Sequence, residues 1–341
     1  MFKIDNHIIG GSKVFIIAEI GINHKGSLKI CKKLIYNAKK IGADAVKLQI
    51  SNPEYSYEKN TPSYKLFISN KLLFSEIKEI KKFCKSLGIT LFATPGDFQS
   101  LELIKKLNFP AIKISSGLMT NEALIKEAIK LKKPIIFSTG LAFKSEIKRI
   151  VSILKKSKKS NFAILRCTSL YPCPEKLLNL NSLKSLQKEF PKIPIGYSDH
   201  TKGIDACVAA TALGAKIIEK HITLKSNFKA PDQKVSIEPS GFKELVKKIR
   251  FIEKILGQEN IFPNKLEIKK RSTYHRSIIT VKNILKGEVF TKDNIALKRS
   301  LTKKQGLHPK YFFKIIGKKS KADLRSGTKL TKSNFNGFPK I

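Results

Sequence analysis

Short apolar runs alternate with longer amphipathic segments along most of the chain, from residue 14 to residue 256. The short runs are typical of buried strands, and the longer segments repeat their apolar positions at the period of an α-helix. Eight strand–helix units follow one another in this way, and eight units in ~250 residues are typical of an α/β fold of the (β/α)8 TIM-barrel type. An open doubly wound sheet is the alternative, but no Gly-x-Gly-x-x-Gly loop follows the first strand.

A second pattern begins after Gly257. Residues 258–275 form a polar, proline-containing segment, and residues 276–335 carry short apolar stretches separated by glycine. These stretches predict a small, mostly β domain whose core is too limited for much stability on its own. We therefore expect a TIM-barrel domain over residues 1–257, a linker over residues 258–275 and a small β domain over residues 276–335.

The charge of the chain bears on its partners. A formal net charge of +41 in 341 residues suggests nucleic acid or acidic lipid. The basic residues are mostly lysines scattered over helix faces, without an arginine-rich arm, which favours a solvated surface over specific nucleic-acid binding. No apolar run approaches the ~18–20 residues of a membrane span, and the N-terminal residues lack the features of a signal peptide. We therefore expect a cytoplasmic protein without a membrane partner.

Two histidines occupy matched positions, because His200 and His221 each follow a short apolar run. The segment between them predicts one helix closed by Gly214. A strand–helix–strand arrangement places both imidazoles at the same end of two adjacent parallel strands. Two imidazoles at one rim can hold a metal ion, and two ordinary hydrogen-bonded histidines are the alternative.

Polar side chains end every predicted strand, at the rim where the active sites of TIM barrels lie. Lys47 and Lys113 each interrupt an apolar strand, and a lysine inside a barrel must be paired or bind an anion because an unpaired buried charge is costly. The acidic candidates at this rim are Glu19, Asp199 and Glu219. Two lysines within a ring of hydroxyls predict a phosphate and carboxylate site, with salt bridges as the alternative. The hydroxyls are those of Thr94, Ser116, Ser138 and Ser198.

Eight motifs, in order along the chain, resemble the sialic acid synthase family. They are Ala18-Glu19-Ile20-Gly21-Ile22-Asn23-His24-Lys25-Gly26, Val46-Lys47-Leu48-Gln49, Lys113-Ile114-Ser115-Ser116-Gly117, Ser138-Thr139-Gly140, Arg166-Cys167-Thr168-Ser169-Leu170-Tyr171-Pro172, Gly196-Tyr197-Ser198-Asp199-His200-Thr201, Glu219-Lys220-His221 and Pro231-Asp232. The resemblance covers about residues 12–335. Its last part is similar to the antifreeze-like (SAF) domain of that family.

The resemblance implies an enzyme that forms a carbon–carbon bond between phosphoenolpyruvate and an N-acylated amino sugar. The reaction of N-acetylmannosamine to N-acetylneuraminate is the best-known case, and legionaminic or pseudaminic acid synthesis stays open as an alternative. Family members use Mn²⁺ or Mg²⁺ as the divalent metal. They form homodimers in which the small domain caps the barrel of the partner.

The resemblance also implies roles for individual residues. His200 and His221 are the expected metal ligands, and the candidate catalytic set is completed by Glu19, Lys47 and Lys113. The expected substrate-binding residues of the barrel are Gln49, Thr94, Ser116, Ser138, Ser169, Tyr171, Ser198 and Asp232. Arg299 is expected to reach the N-acyl group from the other subunit.

Three departures from the family pattern concern the acceptor side of the reaction. Leu118 directly follows the Lys-x-x-Ser-Gly motif, where many members carry a proton-transferring Glu, and Glu122 is the nearest substitute. Ser169 stands where neuraminate synthases often have Asn, and the loop 51–71 carries no clear sugar-binding match. Two rivals stay open: a catalytically impaired relative acting as a basic binding protein, and a synthase for a sugar phosphate, which needs a further basic cluster at the rim.

Overall fold

The computed structural model describes residues 1–300 and 306–337. The chain divides into two compact units, with the boundary in the sequence between Gly257 and Gln258. The first unit begins with an antiparallel hairpin of two short strands, β1 (Phe2–Ile4) and β2 (His7–Ile9). This hairpin is not expected from the sequence, because strands of three residues carry too little periodicity to be recognised.

Within residues 1–257, eight parallel strands close into a barrel in chain order, and the last of them pairs back with the first. They are β3 (Phe15–Gly21), β4 (Ala45–Ile50), β5 (Thr90–Pro95), β6 (Ile112–Ile114), β7 (Ile135–Ser138), β8 (Phe162–Cys167), β9 (Ile195–Asp199) and β10 (Ile217–His221). The closed ring confirms the predicted TIM barrel and excludes the open doubly wound sheet.

Helices connect the strands and cover the barrel. They are α1 (Leu28–Lys40), α2 (Pro53–Ser56), α3 (Pro62–Ser69), α4 (Phe74–Leu87), α5 (Phe98–Lys106), α6 (Glu122–Lys130), α7 (Lys144–Lys156), α8 (Ser182–Glu189), α9 (Asp205–Ala212) and α10 (Pro239–Ile255). Local signals set several ends: the Ser27 side chain caps α1, and Gly88 ends α4 with a φ of +63° that glycine adopts without strain. In the described part of the chain no helix is both long and apolar enough to cross a membrane.

The segment 51–71 differs from the predicted loop, because it folds into the short helices α2 and α3. Pro53 and Pro62 occupy the first turns of these helices, where a missing backbone N–H costs nothing. Thr61 caps α3 by accepting a hydrogen bond from the backbone N–H of Tyr64 at 3.2 Å. The prolines therefore start helices here.

Side chains of the barrel strands alternate between the interior and the helix layer, since successive strand residues point to opposite faces. The lower interior is apolar, and Ile4 and Ile9 of the hairpin pack into it. The other members of this cluster are Phe15, Ile17, Ala45, Phe92, Ala111, Ile136, Ala163, Leu165 and Ile217. Above this layer the inward-facing residues become polar, which places the chemistry at the carboxyl ends of the strands.

The second unit contains helix α11 (Lys265–Tyr274), the antiparallel pair β11 (Ser277–Thr280) and β12 (Ile295–Lys298), and the short helix α12 (Phe312–Ile315). Isolated bridges extend the pairing, for example between Ile284 and Leu324. A compact apolar cluster around Phe290 and Phe335 forms its core. The segment predicted as a linker therefore carries a helix of its own, and the small antiparallel unit follows it.

Candidate active site

The carboxyl ends of the barrel strands surround a cavity of about 550 Å³. Ligand sites for small molecules typically occupy ~300–1,000 Å³. The cavity brings together nearly all of the barrel residues that the sequence singled out: Glu19, Lys47, Gln49, Thr94, Lys113, Ser116, Ser138, Ser169, Tyr171, Ser198, His200 and His221. Residues as far apart in the chain as Glu19 and His221 thus meet at one mouth because the strands are parallel and form a closed barrel.

Four buried ionisable side chains form the floor of this cavity. Lys47 Nζ lies 3.3 Å from Glu19 Oε2 and 3.2 Å from Glu219 Oε2. Lys113 Nζ lies 3.8 Å from Glu219 Oε1 and donates a hydrogen bond of 2.6 Å to the Ser138 hydroxyl. Both lysines therefore have carboxylate partners, as the salt-bridge alternative predicts. Both also line the cavity, where an anion can bind them.

Burial and charge set the protonation of these groups. Burial raises the pKa of Glu19 to about 7, although Lys47 acts against this. Burial also opposes ionisation of Glu219, but Lys113 and Lys47 outweigh it and hold the pKa of that carboxyl at about 2. Burial lowers the pKa of Lys113 to about 8. Near neutral pH Glu219 is thus an ionised carboxylate shared by two amines, whereas Glu19 is only partly ionised and is able to give or accept a proton.

The hydroxyl groups of the ring differ in how they are used. Ser198 donates to Glu219 Oε1 at 2.9 Å, and Ser116 Oγ accepts the backbone N–H of Gly140 at 3.0 Å. The Thr94 hydroxyl is buried and has no hydrogen-bond partner within the described chain. An unpaired buried hydroxyl is costly, so Thr94 is a group that a bound ligand would satisfy.

The two histidines face each other, with ring centroids 5.5 Å apart. His200 Nδ1 lies 2.9 Å from the carbonyl oxygen of Thr168. Since a carbonyl only accepts, Nδ1 carries the hydrogen, and Nε2 is the nitrogen that remains for a metal ion. Burial acts to lower the pKa of His200, but the contact with Cys167 outweighs burial and raises it. Burial, followed by the neighbouring His200, lowers the pKa of His221 well below its usual value, so this imidazole stays neutral.

The residues fit a divalent ion held by two imidazoles. Among the described residues, no group of three or more His, Cys, Asp or Glu side chains is arranged as a complete metal site. However, His221 Nδ1 is buried without a hydrogen-bond partner in the described chain, and Glu19 Oε2 has only its ion pair with Lys47. Mg²⁺ and Mn²⁺ accept water and substrate oxygens for the rest of their coordination shell, so two protein nitrogens are compatible with such an ion.

Asp232 lies beside this histidine pair, with Oδ2 3.5 Å from His221 Nδ1. Its turn is held by Asn23, whose side-chain oxygen accepts the backbone N–H of Asp232 at 2.9 Å. The Asn23 amide also donates to the Ser236 hydroxyl and to the carbonyl of Ile222, each at 2.9 Å. Sequence reasoning quoted Asn23 only within a motif, and its positioning role becomes visible through these bonds.

Of the remaining predicted sugar-binding residues, Gln49 and Tyr171 lie at the mouth of the barrel and Arg299 lies in the second unit. Gln49 Nε2 donates to Glu19 Oε1 at 3.2 Å, and the Tyr171 ring lies 4.0 Å from the His200 ring, so both line the mouth. Arg299 belongs to the second unit, where its guanidinium lies 5.6 Å from the ring of Tyr274. Its contact with an N-acyl group remains a prediction.

Two acidic residues proposed for the rim are elsewhere. Asp199 faces the helix layer and pairs with Lys220 at 2.6 Å, because it neighbours the inward-facing Ser198 on a strand that alternates. Glu122 is on the surface and accepts a hydrogen bond of 2.8 Å from Arg149 Nε, so it does not substitute for the missing Glu at position 118. Leu118 itself lines the cavity with an apolar side chain.

Cys167 is a site residue that sequence reasoning missed. Its Sγ lies 3.6 Å from His200 Nδ1, and it lines the cavity. Burial acts to raise the pKa of this thiol, but the contact with His200 outweighs burial and brings it to about 7. The inward alternation of β8 (Ala163, Leu165, Cys167) could have identified it.

Comparisons with known proteins match both units of the chain. The NeuB family model matches residues 34–261, and the SAF domain model matches residues 275–336. Pseudaminic acid synthase of Campylobacter jejuni is 35% identical over 338 residues, which cover 95% of this chain and 97% of that protein. N,N'-diacetyllegionaminic acid synthase of Campylobacter jejuni is 39% identical over 303 residues, 84% of this chain and 90% of that protein. The crystal structure of N-acetylneuraminic acid (sialic acid) synthetase from Leptospira borgpetersenii, in complex with citrate, superimposes with a TM-score of 0.76 at 36% identity and covers 80% of this chain and 96% of that one.

Proposed function

We propose that this chain, which belongs to the NeuB family of sialic-acid-type synthases, condenses phosphoenolpyruvate with an N-acylated amino sugar aldehyde. The products are a nine-carbon sialic-acid-type sugar and inorganic phosphate. The observation that carries the proposal is the pair of buried amines, Lys47 and Lys113, which share one ionised carboxylate at the mouth.

The floor of the cavity suits phosphoenolpyruvate because that molecule carries a phosphate and a carboxylate. With Glu19 protonated, the two amines exceed the single ionised carboxylate of Glu219 by one positive charge, which an anion would balance. The Thr94 hydroxyl lacks a partner within the described chain and is available to donate to the same anion. Hydroxyls of Ser116, Ser138 and Ser198 complete the proposed cradle.

In the proposed reaction, C3 of phosphoenolpyruvate forms a bond with the aldehyde carbon of the sugar. The aldehyde oxygen takes up a proton, and Glu19, whose pKa of about 7 suits proton transfer near neutral pH, is the group we assign to it. Water then adds to the electron-poor C2 and loses its proton, and phosphate leaves when the bond from C2 to the phosphate oxygen breaks. Lys47 and Lys113 stabilise the phosphate as its charge grows.

The divalent metal that we propose is Mn²⁺ or Mg²⁺, held by His200 and His221. When bound, it would act as a Lewis acid toward the aldehyde oxygen. Gln49, Tyr171 and Asp232 line or adjoin the same part of the mouth, which supports their assignment to the sugar. We also propose a homodimer in which the small domain caps the barrel of the partner and brings Arg299 to the N-acyl group.

The identity of the acceptor is open among mono- and diacylated amino hexoses. The two Campylobacter jejuni relatives are named for pseudaminic and diacetyllegionaminic acid, and Ser169 stands where neuraminate synthases often have Asn. We therefore include both classes, together with N-acetylmannosamine, among the acceptors to be tested.

The test is a panel of 2-acetamido and 2,4-diacetamido hexoses, each incubated with phosphoenolpyruvate and Mn²⁺, with product mass and phosphate release measured. We expect a nine-carbon product with one member of the panel, and phosphate release only when that acceptor is present. Phosphate release that does not depend on an acceptor contradicts the proposal. A folded protein that is inactive with every acceptor favours the impaired relative that Leu118 suggests.

A further inference from the structure

One wall of the cavity comes from the segment between β4 and α4, which sequence reasoning treated as a loop without a sugar-binding match. Tyr57, directly after α2, and Phe67, within α3, both line the cavity. Their rings are stacked, with centroids 5.0 Å apart and planes inclined by 27°. Ser56 and Ser63 of the same segment also line it.

The aromatic wall is fixed by a buried carboxylate outside the mouth. Asp97 Oδ2 accepts the backbone N–H of Asn52 at 2.6 Å and the Ser56 hydroxyl at 2.9 Å. The other oxygen, Oδ1, caps helix α5 by accepting the backbone N–H of Ser100 at 2.7 Å. Asp97 therefore ties α2 to the start of α5, and Tyr57 follows the tied residue Ser56 directly.

The rings of Tyr57 and Phe67 are partly exposed, which indicates a binding surface and not only a packing contact. Both rings are half-buried, and α3 has no fully buried residue. A stack that served only to close a core would be covered on both sides. Here the accessible part of the rings borders a cavity whose floor is charged, so the wall is an aromatic surface beside a polar floor, in a cavity that Leu118 and Leu141 also line.

We propose that Tyr57 and Phe67 form the subsite for the apolar part of the acceptor sugar, its C–H groups and the methyl of its N-acyl substituent. The inference rests on the proposed function. The charged floor satisfies a phosphate and a carboxylate but offers nothing to an acyl methyl group, whereas an aromatic face packs well against C–H groups. The subsite favours N-acylated amino sugars over the corresponding free amines, because a protonated amine lacks the methyl contact.

The test compares Tyr57→Ala and Phe67→Leu with the wild-type enzyme. We expect the KM for the acylated acceptor to rise roughly 3- to 10-fold in each variant, the KM for phosphoenolpyruvate to stay within 2-fold, and kcat to change little. Tyr57→Phe keeps the ring and should restore most of the lost affinity. Tyr55→Ala is the matched control, since Tyr55 lies in the same segment, is 67% exposed and does not line the cavity.

A binding experiment keeps the subsite testable if the wild-type enzyme turns over no acceptor. Saturation-transfer NMR on the full chain, with phosphoenolpyruvate present, should transfer magnetisation from aromatic protons to the acetyl methyl of at least one sugar in the panel of 2-acetamido and 2,4-diacetamido hexoses. We expect this transfer to fall at least 3-fold in Phe67→Leu and not in Tyr55→Ala. An unchanged acceptor KM, an equal rise in both KM values, or a methyl signal that is absent with every acceptor of the panel or insensitive to Phe67 overturns the subsite. Product formation with the panel of acceptors judges the proposed function separately.

Discussion

Two buried ionic clusters lie on opposite sides of the same two strands, β9 and β10. Ser198 and Glu219 point into the mouth, whereas their neighbours Asp199 and Lys220 point toward the helices. The alternation of side chains along a strand thus separates two sets of charges that are adjacent in sequence. The two clusters differ in how completely their polar atoms are hydrogen-bonded. This difference distinguishes charged residues that stabilise the fold from charged residues that bind a ligand.

The outer cluster is saturated. Lys220 Nζ donates to Asp199 Oδ2 and to the carbonyl of Thr201, both at 2.6 Å. Asp199 Oδ1 also accepts from Tyr197 OH at 2.9 Å and from the backbone N–H of Thr201 at 3.1 Å. In the mouth, by contrast, Glu19 and Glu219 each keep an oxygen that forms ion pairs but no well-aligned hydrogen bond within the described chain. Unused capacity of this kind is what a ligand-binding site requires.

The largest effect expected from breaking the mouth comes from His221→Ala. If His221 and His200 hold the ion, turnover should fall at least ~10⁴-fold, about 5.5 kcal/mol of activation free energy. The fold should not suffer, since the Nδ1 of His221 has no hydrogen-bond partner in the described chain to lose. Steady-state kinetics, Mn²⁺ titration by electron paramagnetic resonance and thermal melting are the measurements. Unaltered turnover or unaltered Mn²⁺ affinity would remove the metal assignment.

The next largest effect is expected in the outer cluster, where a substitution should lower the free energy of unfolding. Lys220→Met leaves Asp199 buried without its cation, which should lower the free energy of unfolding by about 3–5 kcal/mol. Activity per folded molecule should remain close to wild type, because Lys220 does not line the cavity. Urea denaturation and kinetics on the folded fraction check this. A loss below ~1 kcal/mol, on the scale of exposed pairs, would mean that the outer pair is not the structural element we describe.

The matched substitution in the mouth should mainly lower activity and have a smaller effect on stability. Lys47→Met should lower kcat/KM by about 10²–10³-fold, or ~2.7–4 kcal/mol, because the amine faces the developing phosphate charge. Stability should fall by less than in Lys220→Met, since Glu19, with a pKa of about 7, can be neutralised by a proton once its partner is gone. Full activity together with a loss of stability would make Lys47 a structural residue like Lys220.

The sequence made the barrel and most of the mouth predictable, because both follow from periodicity. Apolar runs with His or Lys at fixed places identify strands and their polar ends, and parallel closure then brings His200 and Lys47 together. The same alternation, applied strictly, would have placed Asp199 on the outside, since Ser198 and His200 on either side of it face the mouth. The error came from treating strand ends as uniformly polar.

Other features depend on tertiary contacts that periodicity does not encode. The strands of the hairpin β1–β2 are three residues each, so only their packing beneath Phe15 and Phe92 defines them. The aromatic wall requires Asp97, which is about 40 residues away from Tyr57 in the chain. Glu122 is one helical turn from Leu118 in sequence, yet its helix directs it toward Arg149.

The smallest expected effect comes from replacing a threonine by valine, once in the mouth and once in the outer cluster. Thr94→Val removes a buried hydroxyl without a partner in the described residues, so the free energy of unfolding should rise by up to ~1 kcal/mol while the KM for phosphoenolpyruvate rises roughly 5-fold. Thr201→Val removes a hydroxyl that donates to Asp199 at 3.0 Å, so the free energy of unfolding should fall by about 1.5–3 kcal/mol with an unchanged KM. Denaturation and kinetics on the two variants decide the point. If both lose stability equally, the hydroxyl in the mouth is bonded like the outer one, and the contrast between a saturated and an open cluster is lost.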